Sequence, residues 1–184
     1  MSLHTFVVLV ENKPGVLTRV SSLIRRRGFN IESLTVGHAE TEGVSRMTIV
    51  VSTDDLGARR VESNLYKLID VLRVDDVSKR PSVTRDLALV KVTATRETRV
   101  EIMQLAEAYR ARIVDVAPGS LIVEVTGAEE KVDSMVEVLQ PYGVLELART
   151  GRVTMARGAI QQPEMHRDFE DVEATDDAVV SYSV

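Results

Sequence analysis

The order of predicted elements occurs twice along the chain, and this repeat constrains the fold more than any other feature. Residues 5–10, TFVVLV, are short, apolar and largely β-branched, which predicts a buried strand. A helix pattern, two strands, a second helix pattern and a further strand follow, so the order is β-α-β-β-α-β. The same order begins again at Leu87, after a period of about 80 residues. This order predicts two ferredoxin-like domains.

A chain of 184 residues can accommodate two small α+β domains. We predict the first over 1–79 and the second over 87–158, each with a four-stranded antiparallel sheet and two helices on one face. The polar segment 80–86 contains Pro81 and is predicted to be a linker. The last segment, 159–184, is acidic and rich in small polar residues, so we expect it to be disordered.

Hydrophobic periodicity predicts which helix residues face the core. We expect Asp54 or Asp55 to cap the second helix. The predicted inward positions are Val16, Leu17, Val20, Leu23 and Ile24 in the first helix, Leu56, Val61, Leu65, Leu68 and Ile69 in the second, and Val100, Met103, Ala106 and Tyr109 in the third.

Two strands of the first domain, FVVLV and MTIVV, are apolar at nearly every position. Strands with this pattern are usually covered on both faces. Two helices cover only one face of a sheet, so the other face needs a second cover or the sheet must extend by pairing with another copy. Self-association is the simplest expectation.

The junction between the first strand and the first helix, ENKPGVL, has the chemistry of an anion site. Gly15 permits a positive φ, and Pro14 is tolerated in the first turn of a helix. The first helical N–H groups lack partners and lie at the positive end of the dipole, which suits a carboxylate. Asn12 adds a donor and an acceptor, and Val16 and Leu17 add an apolar wall. A free amino acid with an aliphatic side chain fits this set.

A capped helix with no ligand is the alternative interpretation of the same junction, and the residues alone leave it open. The equivalent junction of the second half, residues 93–99, reads TATRETR and contains neither proline nor glycine. The fold therefore does not require this chemistry at that point, which favours a function for it in the first half.

Composition excludes several classes of function. The chain has no cysteine, and its three histidines, His4, His38 and His166, are far apart in sequence, so we expect neither disulfides nor a metal site. The net charge is −5; residues 159–184 carry seven acidic residues and one basic, so residues 1–158 carry 22 basic and 21 acidic residues. An RNA-binding ferredoxin-like sheet needs exposed aromatics, which MTIVV lacks. We expect no nucleic-acid partner.

The chain shows neither a secretory signal pattern nor an apolar stretch near the ~20 residues that span a bilayer. We therefore expect a cytoplasmic protein without a membrane partner. It also lacks a phosphate-binding G-x-x-x-x-G-K-[ST] motif and any candidate pair of base and nucleophile, so an enzyme is not expected.

Several motifs together resemble the small, regulatory subunits of acetolactate synthase (acetohydroxyacid synthase). They are ENKPGVLTRV, RRGFNIESLTVG, SRMTIVV, LYKLIDVLRV, LALVKV, IVDVAPGSLIVEVTG and GRVTMARG, and the resemblance covers residues 5–158. The combination of GFNIESLTVG with SRMTI is the most specific part. The segment from Gln161 to Val184 extends beyond the usual end of this family.

The resemblance implies that the first domain is an ACT domain, which pairs with a second copy into an eight-stranded antiparallel sheet. It implies that valine or a related branched-chain amino acid binds between the two copies. One copy contributes the loop positions Asn12, Pro14, Gly15, Val16 and Leu17. The other copy contributes Asn30 and Ile31 at the start of its second strand.

The resemblance also implies a partner and a role. The chain would activate the large catalytic subunit and confer feedback inhibition on it, without catalytic residues of its own. Thiamine diphosphate, FAD and magnesium would belong to the catalytic subunit, and this chain would hold no cofactor. The remaining alternative is a stand-alone ACT-type amino-acid sensor that serves a different enzyme; the second half and the NIESLTVG block argue against it.

Overall fold

The computed structural model describes residues 1–158, which form two antiparallel sheets with helices. The first domain consists of β1 (Ser2–Glu11), α1 (Val16–Arg26), β2 (Ile31–His38), β3 (Val44–Thr53), α2 (Asp55–Leu65) and β4 (Val71–Asp76). The second consists of β5 (Ser82–Thr93), α3 (Arg99–Ala108), β6 (Arg112–Ala117), β7 (Ser120–Gly127), α4 (Glu129–Leu139), a 3₁₀ turn (Gln140–Tyr142), β8 (Val144–Arg149) and β9 (Val153–Ala156). The predicted order β-α-β-β-α-β occurs twice, so the fold class is confirmed. The segment 159–184, for which we expect disorder, lies outside the described residues.

Both sheets have the strand order of the ferredoxin-like fold. The first is β2-β3-β1-β4, and the second is β6-β7-β5-β8. In the first sheet β1 is central and pairs antiparallel with both β3 and β4, whereas β2 is an edge strand that pairs with β3. Alternate residues of a strand point to opposite faces, so one face of each sheet packs on its helices.

The helix-facing core of the first domain is built from the predicted apolar strands and helices. Its buried members include Phe6, Val8, Val10, Val20, Ile24, Met47, Ile49, Val51, Val61 and Leu65. Asp54 caps α2, as predicted, because its Oδ1 accepts a hydrogen bond from the Gly57 amide at 2.7 Å. The core of the second domain includes Val90, Ile102, Leu121, Val123, Met135 and Leu139.

The predicted inward face of α2 is wrong at both ends. Leu56 is 50% exposed and Ile69 is 67% exposed, whereas Ala58 is buried. Two residues along a helix correspond to a rotation of about 200°, so Leu56 lies opposite Ala58. The helix ends at Leu65, and Ile69 therefore lies beyond it.

The predicted inward face of α3 is also shifted. Val100 and Met103 are exposed, and the buried residues of the helix are Ile102 and Ala106. This pair has the i, i+4 spacing of a narrow stripe. A narrow stripe suffices here because α3 packs mainly against the edge strand β6.

The segment 80–86 is not a linker over its whole length, because β5 begins at Ser82. The first four residues of β5 pair with β9, from Ser82 opposite Ala156 to Arg85 opposite Val153. Strand β9 was not predicted from the sequence. Its partner, the start of β5, lies about 70 residues away along the chain, so no local sequence pattern indicates that these two strands pair. We call β9 with residues 82–85 the β5–β9 ribbon.

The β5–β9 ribbon lies over the outer face of the first sheet, the face away from its helices. Val7, Leu9 and Val50 point to this face and are nevertheless 3%, 9% and 1% exposed. Arg46 donates a hydrogen bond from Nη2 to the Thr154 carbonyl at 2.8 Å. Strand β9 thus supplies part of the second cover, and the outer face is not a surface that requires another copy.

We predict that Asp54→Ala lowers the free energy of unfolding by about 1 kcal/mol, because the mutation leaves the Gly57 amide without its capping acceptor. Urea denaturation followed by circular dichroism measures this change. Glu42→Ala, in the exposed β2–β3 loop, is the control and should shift stability by less than about 0.5 kcal/mol. Equal stability of the two variants would contradict the capping role.

Candidate functional site

Residues 12–15 connect β1 to α1 in a turn that is held by backbone hydrogen bonds. The Asn12 amide donates to the Gly43 carbonyl at 2.7 Å, and the Lys13 amide donates to Glu11 at 2.9 Å. Gly15 is the N-cap of α1 and has a φ of 83°, in the left-handed region. A Cβ at Gly15 would meet only the Arg19 guanidinium, at 3.5 Å. The backbone conformation, and not a lack of space, therefore favours glycine here.

The helix starts after Pro14, whereas the sequence analysis placed Pro14 in its first turn. Because α1 begins at Val16 and Gly15 is its N-cap, Pro14 precedes the cap and does not lie in the first helical turn. Gly15 has no side chain with which to cap the helix. The amides of Leu17 and Thr18 belong to the first turn, where no carbonyl within the helix can accept from them. These amides and the positive end of the helix dipole have the chemistry that an anion site requires, and we call this position the anion seat.

The two apolar residues of the loop have different environments. Val16 is 3% exposed and belongs to the core of the first domain, so its side chain does not form the apolar wall that we predicted. Leu17 is 43% exposed beside the helix N-terminus. Of this pair, Leu17 supplies the apolar surface next to the anion seat, and Val16 anchors the helix.

Arg19 adds a cation that the sequence analysis missed. Its Nε lies 2.8 Å from Oδ2 of Asp70, whose side chain is 9% exposed, and its guanidinium lies next to Gly15. The Asp70 carbonyl also accepts a hydrogen bond from Glu11 at the end of β1. An arginine one turn into the helix after N-x-P-G is the signal that could have indicated it.

Asn30 and Ile31 lie at the start of β2. The Asn30 side chain donates from Nδ2 to Oε1 of Glu32 at 2.9 Å, and Asn30 is exposed. Ile31 is half-buried and packs against the core of the first domain. The strand has an irregular register between Ile31 and Ser33.

Within one chain, the loop and the start of β2 lie at opposite ends of the sheet. Ile31 is opposite Val51, and Val51 is opposite His4, near the beginning of β1. The loop follows Glu11, seven residues further along β1, which corresponds to about 23 Å at 3.3 Å per residue. One small ligand cannot contact both groups in the same chain. The structure therefore does not bring the two halves of the predicted site together within one copy.

The described residues show two further features that bear on the site. Among residues 1–158, histidine and acidic side chains form no group of three that could hold a metal ion. His4 is buried, and its Nε2 and Nδ1 lie 3.6 Å from Oδ1 of Asp55 and 3.5 Å from Oδ2 of Asp76. In the same part of the chain, none of the helices has the length and apolar character needed to cross a membrane.

We predict that Val16→Ala lowers the free energy of unfolding by about 2 kcal/mol, because it removes buried methyl groups from the core. Thr18→Ala, at an exposed position two residues later, is the matched control and should change stability by less than about 0.5 kcal/mol. Urea denaturation of both variants measures the difference. A similar small effect in both would show that Val16 is not an anchor of α1.

Two family models together match most of the chain. Residues 6–73 match the AHAS small subunit-like ACT domain, and residues 85–158 match a domain described as the small subunit of acetolactate synthase. The two matches correspond to the two domains of the structure.

Individual proteins match over nearly their whole length. A probable acetolactate synthase small subunit of Archaeoglobus fulgidus is 54% identical over 155 residues, which cover 84% of this chain and 97% of that protein. The acetolactate synthase small subunit of Mycolicibacterium smegmatis is 49% identical, with coverage of 84% and 91%. The crystal structure of the small subunit from Thermotoga maritima superposes with a TM-score of 0.81 at 42% identity and covers 87% of this chain and 100% of that one.

Proposed function

The chain belongs to the acetolactate synthase small-subunit family, and we propose that it activates the thiamine-diphosphate-dependent catalytic subunit and makes it sensitive to inhibition by valine. The observation that carries the proposal is the anion seat at Gly15. The other half of the proposed ligand site, Asn30 and Ile31, lies at the opposite end of the same sheet. In this proposal the chain has no catalytic residue. Thiamine diphosphate, FAD and magnesium belong to the catalytic subunit, and the complex works in the cytoplasm.

A valine ligand suits the chemistry of the loop. Its carboxylate would accept hydrogen bonds from the amides at the start of α1, near the Arg19 guanidinium. Its isopropyl group would lie against Leu17. The Asn30 side chain would exchange its hydrogen bond to Glu32 for one to the ligand, so that binding replaces an existing bond and leaves no donor unpaired.

A second copy would complete this site if the edge strands β2 of two chains pair antiparallel. In that arrangement the start of one β2 lies beside the end of the other. The end of β2, at His38, is opposite Ser45, which is itself opposite Val10 next to the loop. Asn30 and Ile31 of one copy would thus approach the Gly15 loop of the other, and the paired sheet would have eight strands.

The edge of β2 has surface features that suit such pairing. Val36, on the helix-facing side of β2, is 43% exposed, as is Leu17 on the helix that covers it. Pairing would bury both residues and would satisfy the backbone groups of the edge strand. The proposed dimer therefore forms the ligand site and covers an apolar edge at the same time.

We expect Gly15→Asp to abolish valine inhibition while activation of the catalytic subunit is retained. The added carboxylate would repel the ligand's carboxylate at the anion seat. Reconstitution with the catalytic subunit, titrated with valine, leucine and isoleucine, measures activation and inhibition separately. Gly158→Asp is the matched control, because Gly158 has a φ of 79° and no atom within 4 Å of its Cβ position. Full valine sensitivity of Gly15→Asp would place the site elsewhere.

Mixing two variants that each fail to bind valine tests whether the ligand site is shared between two copies. Gly15→Asp and Asn30→Ala homodimers would each carry two damaged sites. A mixed dimer would carry one site with both mutations and one intact site. We expect co-refolded mixtures to regain valine binding by calorimetry, at about half of the wild-type stoichiometry in the mixed species. No recovery in verified mixed dimers would show that Asn30 and Gly15 do not serve the same site.

A further inference from the structure

The three residues between β8 and β9, which we call the 150–152 connector, are hydrogen-bonded to the outer face of β2. The Arg152 amide donates to Oγ of Ser33 at 3.2 Å. The Thr35 hydroxyl donates to the Thr150 carbonyl at 3.1 Å and lies 3.3 Å from that of Arg152. A segment of the second domain is thus attached directly to an edge strand of the first.

The connector is also tied firmly to its own domain. The Thr150 hydroxyl accepts from the Leu87 amide at 3.2 Å, and it lies 3.2 Å from Oδ1 of Asp86 and 2.8 Å from the Gly151 carbonyl. Arg152 forms an ion pair with Glu129 in the first turn of α4. Asp86 is 3% exposed and is paired with Arg149, the residue before the connector. A displacement of the connector would therefore also change its contacts with β5 and α4.

The contact with β2 depends on a glycine in the connector. Gly151 has a φ of 79°, and a Cβ there would lie 2.3 Å from the Ser33 hydroxyl. Such a distance is far inside van der Waals contact, so a side chain at this position would displace the Ser33 hydroxyl and break its hydrogen bond with the Arg152 amide. The backbone conformation favours glycine, and the bond between Ser33 and Arg152 depends on it.

The rest of the interface between the domains is less tightly packed. A cavity of about 220 Å³ lies between the outer face of the first sheet and β9. Val7 and Leu9 on β1 and Met155 on β9 are among the residues that line it. At this part of the interface Arg46 donates to the Thr154 carbonyl, and the hydrogen bonds at β2 form a second, separate link from the sheet to the second domain.

Strand β2 has the proposed ligand residues at its start and the connector contacts in its middle. The register irregularity lies between Ile31 and Ser33, directly between these two groups. A local change at a bulge alters the direction of the strand that follows it. A ligand that binds Asn30 and Ile31 would therefore act on Ser33 through two residues of backbone.

We infer that the 150–152 connector transmits the effector signal from β2 of the first domain to the second domain. This inference rests on the proposed function, in which valine binds at the start of β2. Ser33, Thr35 and Gly151 are positioning residues in it, since they do not contact the ligand. Valine can shift the equilibrium between two arrangements of the two domains only if it binds these arrangements with different affinities. In this inference the two arrangements differ in the contact between β2 and the connector.

Gly151→Ala tests the inference, with Gly158→Ala as its control. The two glycines have the same φ of 79°, but a Cβ at Gly158 meets nothing within 4 Å. Both alanines therefore carry the same backbone strain, and only the one at position 151 collides with Ser33. We expect Gly151→Ala to bind valine with a Kd within about twofold of wild type, while activity at saturating valine rises above about half of the uninhibited value. Gly158→Ala should behave like wild type.

A double variant identifies the contact. Ser33→Ala removes the hydroxyl with which the Gly151→Ala methyl collides, and the other distances from that Cβ position to β2 are 3.5 Å, an ordinary contact. We expect Gly151→Ala/Ser33→Ala to regain part of the valine inhibition that Gly151→Ala loses. The double variant still lacks the bond from the Arg152 amide to Ser33 but keeps the Thr35 contacts with the connector, so the recovery should be partial. A double variant no better than Gly151→Ala would contradict transmission through the close approach of the connector to β2.

Hydrogen exchange gives a readout that does not depend on activity. Valine should slow amide exchange in a peptide that contains the connector by about threefold in the wild-type small subunit, and should leave it unchanged in Gly151→Ala. An unchanged wild-type peptide, or full inhibition of Gly151→Ala, overturns the inference while the proposed function stands. If the wild-type complex neither binds nor responds to valine, leucine or isoleucine, the proposed function fails, and this inference fails with it.

Discussion

Burial of the outer face of the first sheet is the interaction on which the rest of the structure depends. The strands β1 and β3 have apolar residues on both faces, and α1 and α2 can cover only one. Fully burying an aliphatic side chain contributes about 1.5–3 kcal/mol, so exposure of Val7, Leu9 and Val50 together would cost several kcal/mol. Strand β9 lies over part of this face, and it can do so because the start of β5 extends as its pairing partner. The two domains are consequently joined by a shared layer in addition to the chain that connects them.

Strand β2 is one edge of the first sheet, and in the proposed dimer it pairs with β2 of a second copy. A small ligand cannot extend over the roughly 23 Å that separate the Gly15 loop from Ile31 in one chain. An antiparallel pair of β2 strands brings these ends together without any change in either domain. The two halves of the proposed regulatory site lie at opposite ends of β2 in one chain. Antiparallel pairing places the start of one β2 beside the end of the other, so the same two halves become adjacent in the proposed dimer.

The sequence was informative where a pattern is local. The repeated element order, the cap at Asp54, the turn at Gly15 and four of the five predicted core positions of α1 were all read from residues within one or two turns of each other; the fifth, Leu17, is exposed. It was misleading where tertiary contacts decide, as for Leu56 and Val100, whose helices bury a different stripe than their apolar residues suggest. It could not indicate β9 or the connector contact with Ser33, because the partners are about 70 and 120 residues apart along the chain. Arg19 was missed for another reason: it follows N-x-P-G by one helical turn, but its position beside Gly15 becomes evident only in the folded chain.

The period of two along a strand explains how β2 can take part in so many contacts. Leu34 and Val36 are opposite Ile49 and Met47 and therefore point to the helices, where Leu34 packs on the core. Ser33 and Thr35 point to the other face, where they bond the connector. In the proposed dimer the backbone edge pairs with a second copy, and the residues that precede the register irregularity contact the ligand. Because these four functions use different atoms of one short strand, ligand binding at its start can change the contact with the second domain without breaking the core that both domains need.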